Sequence, residues 1–151
     1  MVRNSFLYNN EGIGLVAILS VLSKMKRLEY AKVFLILPLL LNDDITTFIK
    51  NKNSKVIGIQ DLISRRASSF SNFNRSYKSF YPLTFNAICL AEELRLIKME
   101  SDSITYLENN FDLSSELLGT RARNIITASE KIQTILKIES IQLYSSLKIQ
   151  I

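Results

Sequence analysis

The side chains able to do chemistry in this chain are few, and their spacing does not bring them together. Two acidic pairs stand out, Asp43-Asp44 and Glu92-Glu93. Paired carboxylates share acid and base duties only when both reach one substrate atom, and helix neighbours diverge by about 100°. The first pair follows Asn42 and fits the capped start of a helix; the second fits a solvated helix face. Cys89 is the single cysteine, set in "NAICLAEEL" with no group beside it to stabilise a thiolate. A buried, inert thiol is expected there, without an intramolecular disulfide and in a reducing compartment. Histidine is absent altogether, which removes the usual general base and the commonest metal ligand. The "GIG" at residues 12–14 has neither the third glycine nor the preceding strand of a dinucleotide loop, and no phosphate-cradling GxxxxGK occurs. We therefore expect no catalytic residue, no cofactor and no metal ligand in this chain.

Basic residues offer a second kind of chemistry. The net charge is +5, but lysine and arginine are scattered, and the tightest clusters are "KMKR" at residues 24–27 and Arg65-Arg66. Such pairs are common on solvated helix faces. In "SFSNFNRSYKSFY" (residues 69–81), Phe70, Phe73, Tyr77, Phe80 and Tyr81 interleave with Arg75 and Lys78. Aromatic rings between cations can stack bases while the cations meet phosphates, so Arg65, Arg66, Arg75 and Lys78 are candidate nucleic-acid contacts. The same three-and-four spacing is that of a helix stripe facing a core or a partner.

The elements that must position these residues are mostly helical. Among 151 residues there are four glycines and two prolines, too few for a turn-rich sheet protein. The most apolar stretch is "VFLILPLLL" at residues 33–41. It is too short to cross a bilayer, which needs roughly 20 residues. Lys24, Lys26, Arg27, Glu29 and Lys32 separate it from the apolar "GIGLVAILSVL" at residues 12–22. No secretory cleavage pattern is present either, so we expect a cytoplasmic protein with no membrane contact. A proline in the middle of a strand would remove a ladder bond, whereas a central helix tolerates it. Residues 33–41 therefore predict a helix that is apolar on every side and surrounded by protein.

Around it, Leu15, Ile18, Leu19, Leu22 and Met25 mark a helix over residues 12–27, and "NDD" (residues 42–44) reads as a stop followed by an N-cap for a short helix over residues 45–50. Residues 59–80 read as one long helix, weakened near "SSFSNFNRS", and "YPLT" (residues 81–84) reads as a break. A new helix follows with Leu83, Ala87, Leu90, Ala91 and Leu94 inward; then "LIKME", "SDS" and "ITYLE" form a winged-helix-like β-hairpin near residues 96–107. An amphipathic helix from about Arg121 and a shorter one with Ile141, Leu143, Tyr144 and Leu147 close the chain. The fold class is mainly α: a single domain over residues 1–151, with lobes at 1–81 and 82–151.

The runs "NNEGIGLVAILSVLSKMKR", "FLILPLLLNDDITTFI" and "ASEKIQTILKIESIQLYSSLKIQI" resemble the middle component of three-component ABC ATPase systems. The small subunit of Lamassu-type defence systems has the same layout. The resemblance matches Asn10 at an early turn, Leu37, Pro38 and Leu41 in the central "LP-LL" helix, and Leu143 and Tyr144 near the C-terminus. It departs at the tail, where the usual glycine and proline are replaced by "LKIQI". What the resemblance implies is a non-catalytic, kleisin-type or winged-helix adaptor in an anti-phage or anti-plasmid complex. Its partners would be an SMC-like ABC ATPase that senses DNA and an effector such as a nuclease, with those six residues as partner contacts. The alternatives are a free-standing winged-helix transcriptional regulator and a small enzyme acting through Glu92, Glu93 or Asp44.

Overall fold

The computed structural model describes residues 10–114 and 116–151, which form eight α-helices and three short strands. Helix α1 (Glu11–Met25) starts where the Asn10 side chain accepts a hydrogen bond from the Ile13 amide at 3.0 Å. Every residue from 14 to 22 is buried. Three helices meet at Gly14, where a Cβ would make ordinary contacts at 3.4 Å from Leu37 Cδ1 and 3.5 Å from Ala87 Cβ.

Helix α2 (Tyr30–Leu40) contains the apolar run, and residues 35–41 are all buried. Pro38 lies inside the helix, and the Leu41 amide still donates to the Leu37 carbonyl at 2.9 Å. Asn42 then caps α3 (Asp43–Lys50) by accepting from the Ile45 amide, and Ile45 and Ile49 point into the core. The Thr46 hydroxyl donates back to the Leu40 carbonyl at 2.6 Å, satisfying a buried group at the corner.

The single long helix expected over residues 59–80 is three helices instead. α4 (Ile59–Arg65) and α5 (Ala67–Phe70) are separated at Arg66, where φ is −126° and ψ is 44°. A second break at Asn72 precedes α6 (Phe73–Glu93). The expected break at Pro82 does not occur, and the lobe boundary at residue 81 falls within α6. Proline deprives the Lys78 carbonyl of its helical donor, but Lys78 and Pro82 are both exposed, so water satisfies it. Serine and asparagine around residues 68–74 broke the helix earlier, by competing for backbone bonds.

Leu94 is 53% exposed, not inward as expected, because α6 ends one residue before it. Arg95 takes a left-handed conformation (φ 59°), its amide donates to the Glu92 carbonyl, and the Leu96 amide donates to the Ala91 carbonyl. This paired closure folds Leu96 into the core in place of Leu94.

The hairpin forms as expected, from β2 (Ile97–Met99) and β3 (Ser103–Tyr106). A third strand escaped the sequence: β1 (Arg27–Glu29), where "KMKR" reads as a helix face, pairs antiparallel with β3 to give the order β1–β3–β2. Leu28 lies opposite Ile104, and Ile104 opposite Met99, so one apolar row faces the helices. Three residues are too few for a period-two pattern to register. After a 3₁₀ turn at Glu116–Leu118, α7 (Gly119–Leu136) buries Ala122, Ile125, Ala128, Ile132, Ile135 and Leu136 against α1 and α3. The expected inward residue Ile126 is half-buried. α8 (Ser140–Ser146) closes the described chain.

This packing predicts unequal costs along the chain. Leu35→Ala should lose about 2–5 kcal/mol of stability, whereas Leu94→Ala should change it by less than about 0.5 kcal/mol. Urea unfolding of both variants, followed by circular dichroism, checks the contrast.

Candidate partner-docking site

A concavity of about 780 Å³ lies between α2, α6 and α8. Its floor is α2 (Tyr30, Ala31, Phe34), one wall is α6 (Tyr77, Tyr81), and the other is α8 (Ile141, Tyr144). Helical spacing sets each row: residues four apart on α6 and three apart on α2 and α8 share a face. The walls are tied to one another by rings. Phe34 stacks on Tyr81 with centroids 4.4 Å apart, and Tyr77 meets both Tyr81 and Tyr144 edge-on at 6.2 and 5.6 Å.

Tyr144 is the joint of this site. Its hydroxyl donates to the Ala31 carbonyl at 2.5 Å and lies 3.2 Å from the Tyr77 hydroxyl. With its own proton engaged, Tyr144 accepts from Tyr77. Burial raises the Tyr144 pKa above the usual phenol value, and the Tyr77 hydrogen bond adds to the rise. The tail is held by a helix closure that normally uses glycine. Lys148 adopts φ 57°, its amide donates to the Ser145 carbonyl, and the Ile149 amide donates to the Tyr144 carbonyl. The Gln150 amide then donates to Asn74 Oδ1 at 2.9 Å, fixing the tail to α6.

The structure separates the six candidate partner contacts. Leu37, Pro38, Leu41 and Leu143 are buried in this chain's own core, where a partner does not reach them. Asn10 caps α1. Tyr144 alone among the six lines the groove. Ile141, placed by the sequence on the last short helix, is 84% exposed and borders the groove. Tyr30, Phe34 and Ile141 were not anticipated as site residues. The contact that gathers them spans 113 residues of sequence, and local periodicity carries no sign of it.

The four candidate nucleic-acid contacts are also divided. Arg65 is bound to Asp61 at 2.9 Å. Arg66 donates to the Asp44 carboxylate and lies over the Phe48 ring. Hydrogen bonds from Arg66 and Ser69 hold the Asp44 carboxyl below the usual carboxylate range. Arg75 and Lys78 are exposed on α6, and Lys78 borders the groove. Phe70 and Phe73 are buried and stacked on each other, so neither offers a free face to a base. Cys89, expected to be buried, is exposed because Ala87, Ile88 and Ala91 take the inward positions around it. Among the described residues, no three or more His, Cys, Asp or Glu side chains converge.

In chemical terms the groove is a recognition surface: apolar rings, phenol hydroxyls and a lysine at the edge. The chain belongs to the family described as ABC-three component (ABC-3C) system Middle Component 3, whose model matches residues 17–151. A middle component works with other subunits of its system. The same comparisons match this chain to no curated protein and to no solved structure.

Two outcomes test this geometry. A phenol whose pKa is raised by folding contributes stability that is complete below its unfolded value near pH 10 and is lost as pH rises beyond it. The Tyr144→Phe variant should therefore melt lower than wild type at pH 7 but lose less further stability between about pH 9 and 11. Lys148→Gly should raise stability by about 0.5–1 kcal/mol by relieving the left-handed position. Thermal melts across that pH range read both effects.

Proposed function

We propose that this chain is a non-catalytic adaptor that bridges an SMC-like ABC ATPase and an effector such as a nuclease, in an anti-phage or anti-plasmid complex of the Lamassu type. The observation that carries this is the family match, which runs from within α1 through α8 and so includes every wall of the groove. Physical features agree with it. The core is filled by α1 and α2, while the groove leaves apolar rings at the surface. No described helix is long and apolar enough to cross a membrane, which suits an adaptor working in the cytoplasm.

In this mechanism the ATPase senses DNA, its heads move on nucleotide binding, and the adaptor transmits that movement to the effector. A chain whose helices share one core passes displacement as a body. DNA is met through the ATPase. The adaptor's kleisin-type role would rest on holding the heads together.

One observation favours the regulator alternative: the hairpin β2–β3 directly follows α6 and pairs with β1 in the order β1–β3–β2, an arrangement compatible with a winged helix. Its charges oppose duplex binding. The end of α6 presents Glu92, which accepts the Met99 amide, and the hairpin tip presents Glu100 and Asp102, the latter paired with Arg27.

Co-expression with an ABC ATPase subunit of the same system should give one complex on size exclusion. The chain alone should neither hydrolyse ATP nor bind a 30-base-pair duplex at 150 mM salt. A monomer that ignores the ATPase would remove the adaptor reading, and duplex binding that falls steeply with salt would favour the regulator.

A further inference from the structure

We propose that the exposed face of α6 pairs with the same face of a second copy of this chain, the two helices antiparallel about a two-fold axis at Phe85. The face is made by Lys78, Tyr81, Pro82, Phe85, Cys89 and Glu92, all exposed. Helical geometry gathers these six into a stripe about 100° wide and about 21 Å long. Its centre is apolar: Tyr81 is 49% and Phe85 53% exposed, with Pro82 and Cys89 beside them. Single exposed apolar residues are ordinary on soluble surfaces, but a contiguous row on one helix face marks a contact. Tyr81 is already stacked on Phe34, so part of the row is fixed before a partner arrives. Phe85 lies outside the lining of the groove, so the two surfaces are neighbours and this inference does not rest on the adaptor reading.

Charge names the occupant and its direction. Arg75 and Lys78 stand at one end of the face and Glu92 and Glu93 at the other, with no charged residue from 79 to 91. Arg75, Lys78 and Glu93 enter no ion pair among the described residues. Glu92 accepts the Met99 amide through Oε2 and leaves Oε1 open. On the groove side, Glu29 holds Ser140 and is paired with Lys32 at 3.6 Å. Arg95 follows the helix end, beyond the stripe.

In an antiparallel pair, residues equally far from Phe85 lie opposite one another. Tyr81 then meets Cys89, and Lys78 meets Glu92. Arg75 and Glu93 lie on one flank of the helix, and antiparallel packing brings like flanks together, so they form a second pair. The two-fold axis repeats each contact. A parallel pair would set Lys78 on Lys78 and Glu92 on Glu92. The face therefore carries its own complement, which a contact between identical surfaces requires. The apolar centre supplies affinity and the charges at its ends set direction. A face this short makes the pair a weak one.

Sedimentation equilibrium of the full chain alone, over about a hundredfold range of concentration, tests the pairing. Wild type should associate reversibly to a dimer. Phe85→Glu should weaken that association about tenfold or more, and Arg75→Glu about threefold. Joining Glu93→Lys to Arg75→Glu rebuilds the pair in reverse and should return the affinity to within about twofold of wild type. Ile57→Glu, exposed away from this face, should change nothing. All of these positions are exposed, and circular dichroism melts verify each fold. A wild type that stays monomeric throughout, or a dimer indifferent to Phe85→Glu, overturns the proposal. An Arg75→Glu dimer as tight as wild type, or a double variant that does not recover, overturns the antiparallel pairing on which the choice of occupant rests. No ATPase subunit is present in this measurement, so either failure leaves the adaptor reading to its own co-expression test.

Discussion

The structure depends on one constraint: α2 is apolar on every side and must be surrounded. Residues 35–41 give it no polar stripe, so α1, α3, α6 and α7 all pack against it. A helix at the rim of the domain would expose half of that surface to water, at roughly 25 cal/mol for each Å². Gly14 of α1 packs beside Leu37 of α2 and Ala87 of α6, and Leu143 and Leu147 bring α8 and the tail into the same core.

That packing decides what remains for function. With α1 and residues 35–41 of α2 engaged in the core, new contacts come from the start of α2 and from elements laid over the core. α8 and the outer face of α6 supply them, held in place by the Tyr144 hydrogen bond to Ala31 and by the tail's bond to Asn74. Leu37 and Pro38 are buried in the interior, while Phe34 of the same helix forms part of the groove. In the tail, Lys148 stands in the left-handed position that a glycine usually fills, and the closing hydrogen bonds still form.

Much of the fold was legible because it is written locally. The capped start of the helix after "NDD", the buried run at residues 33–41 and the hairpin after residue 96 each follow from residue type and spacing within a few positions. The errors have a common cause. Pro82 reads as a break only if its face is assumed buried, and Cys89 and Leu94 were oriented by apolar neighbours whose facing elements lie far away in sequence. Strand β1 depends entirely on β3, some 75 residues downstream. The groove was least legible of all, since its three walls come from three separated stretches and are joined by single hydroxyl and ring contacts.

The central claim is that the core helices serve the chain itself while the α6–α8 face serves another protein. Amide hydrogen exchange on the chain, alone and in complex with the ABC ATPase subunit, tests it directly. Added protection should appear in α8, the tail and the outer turns of α6 around Tyr77 and Tyr81, with α1 and α2 slow and unchanged in both states. Protection confined to α1 and α2, or no difference at α8, would contradict the account.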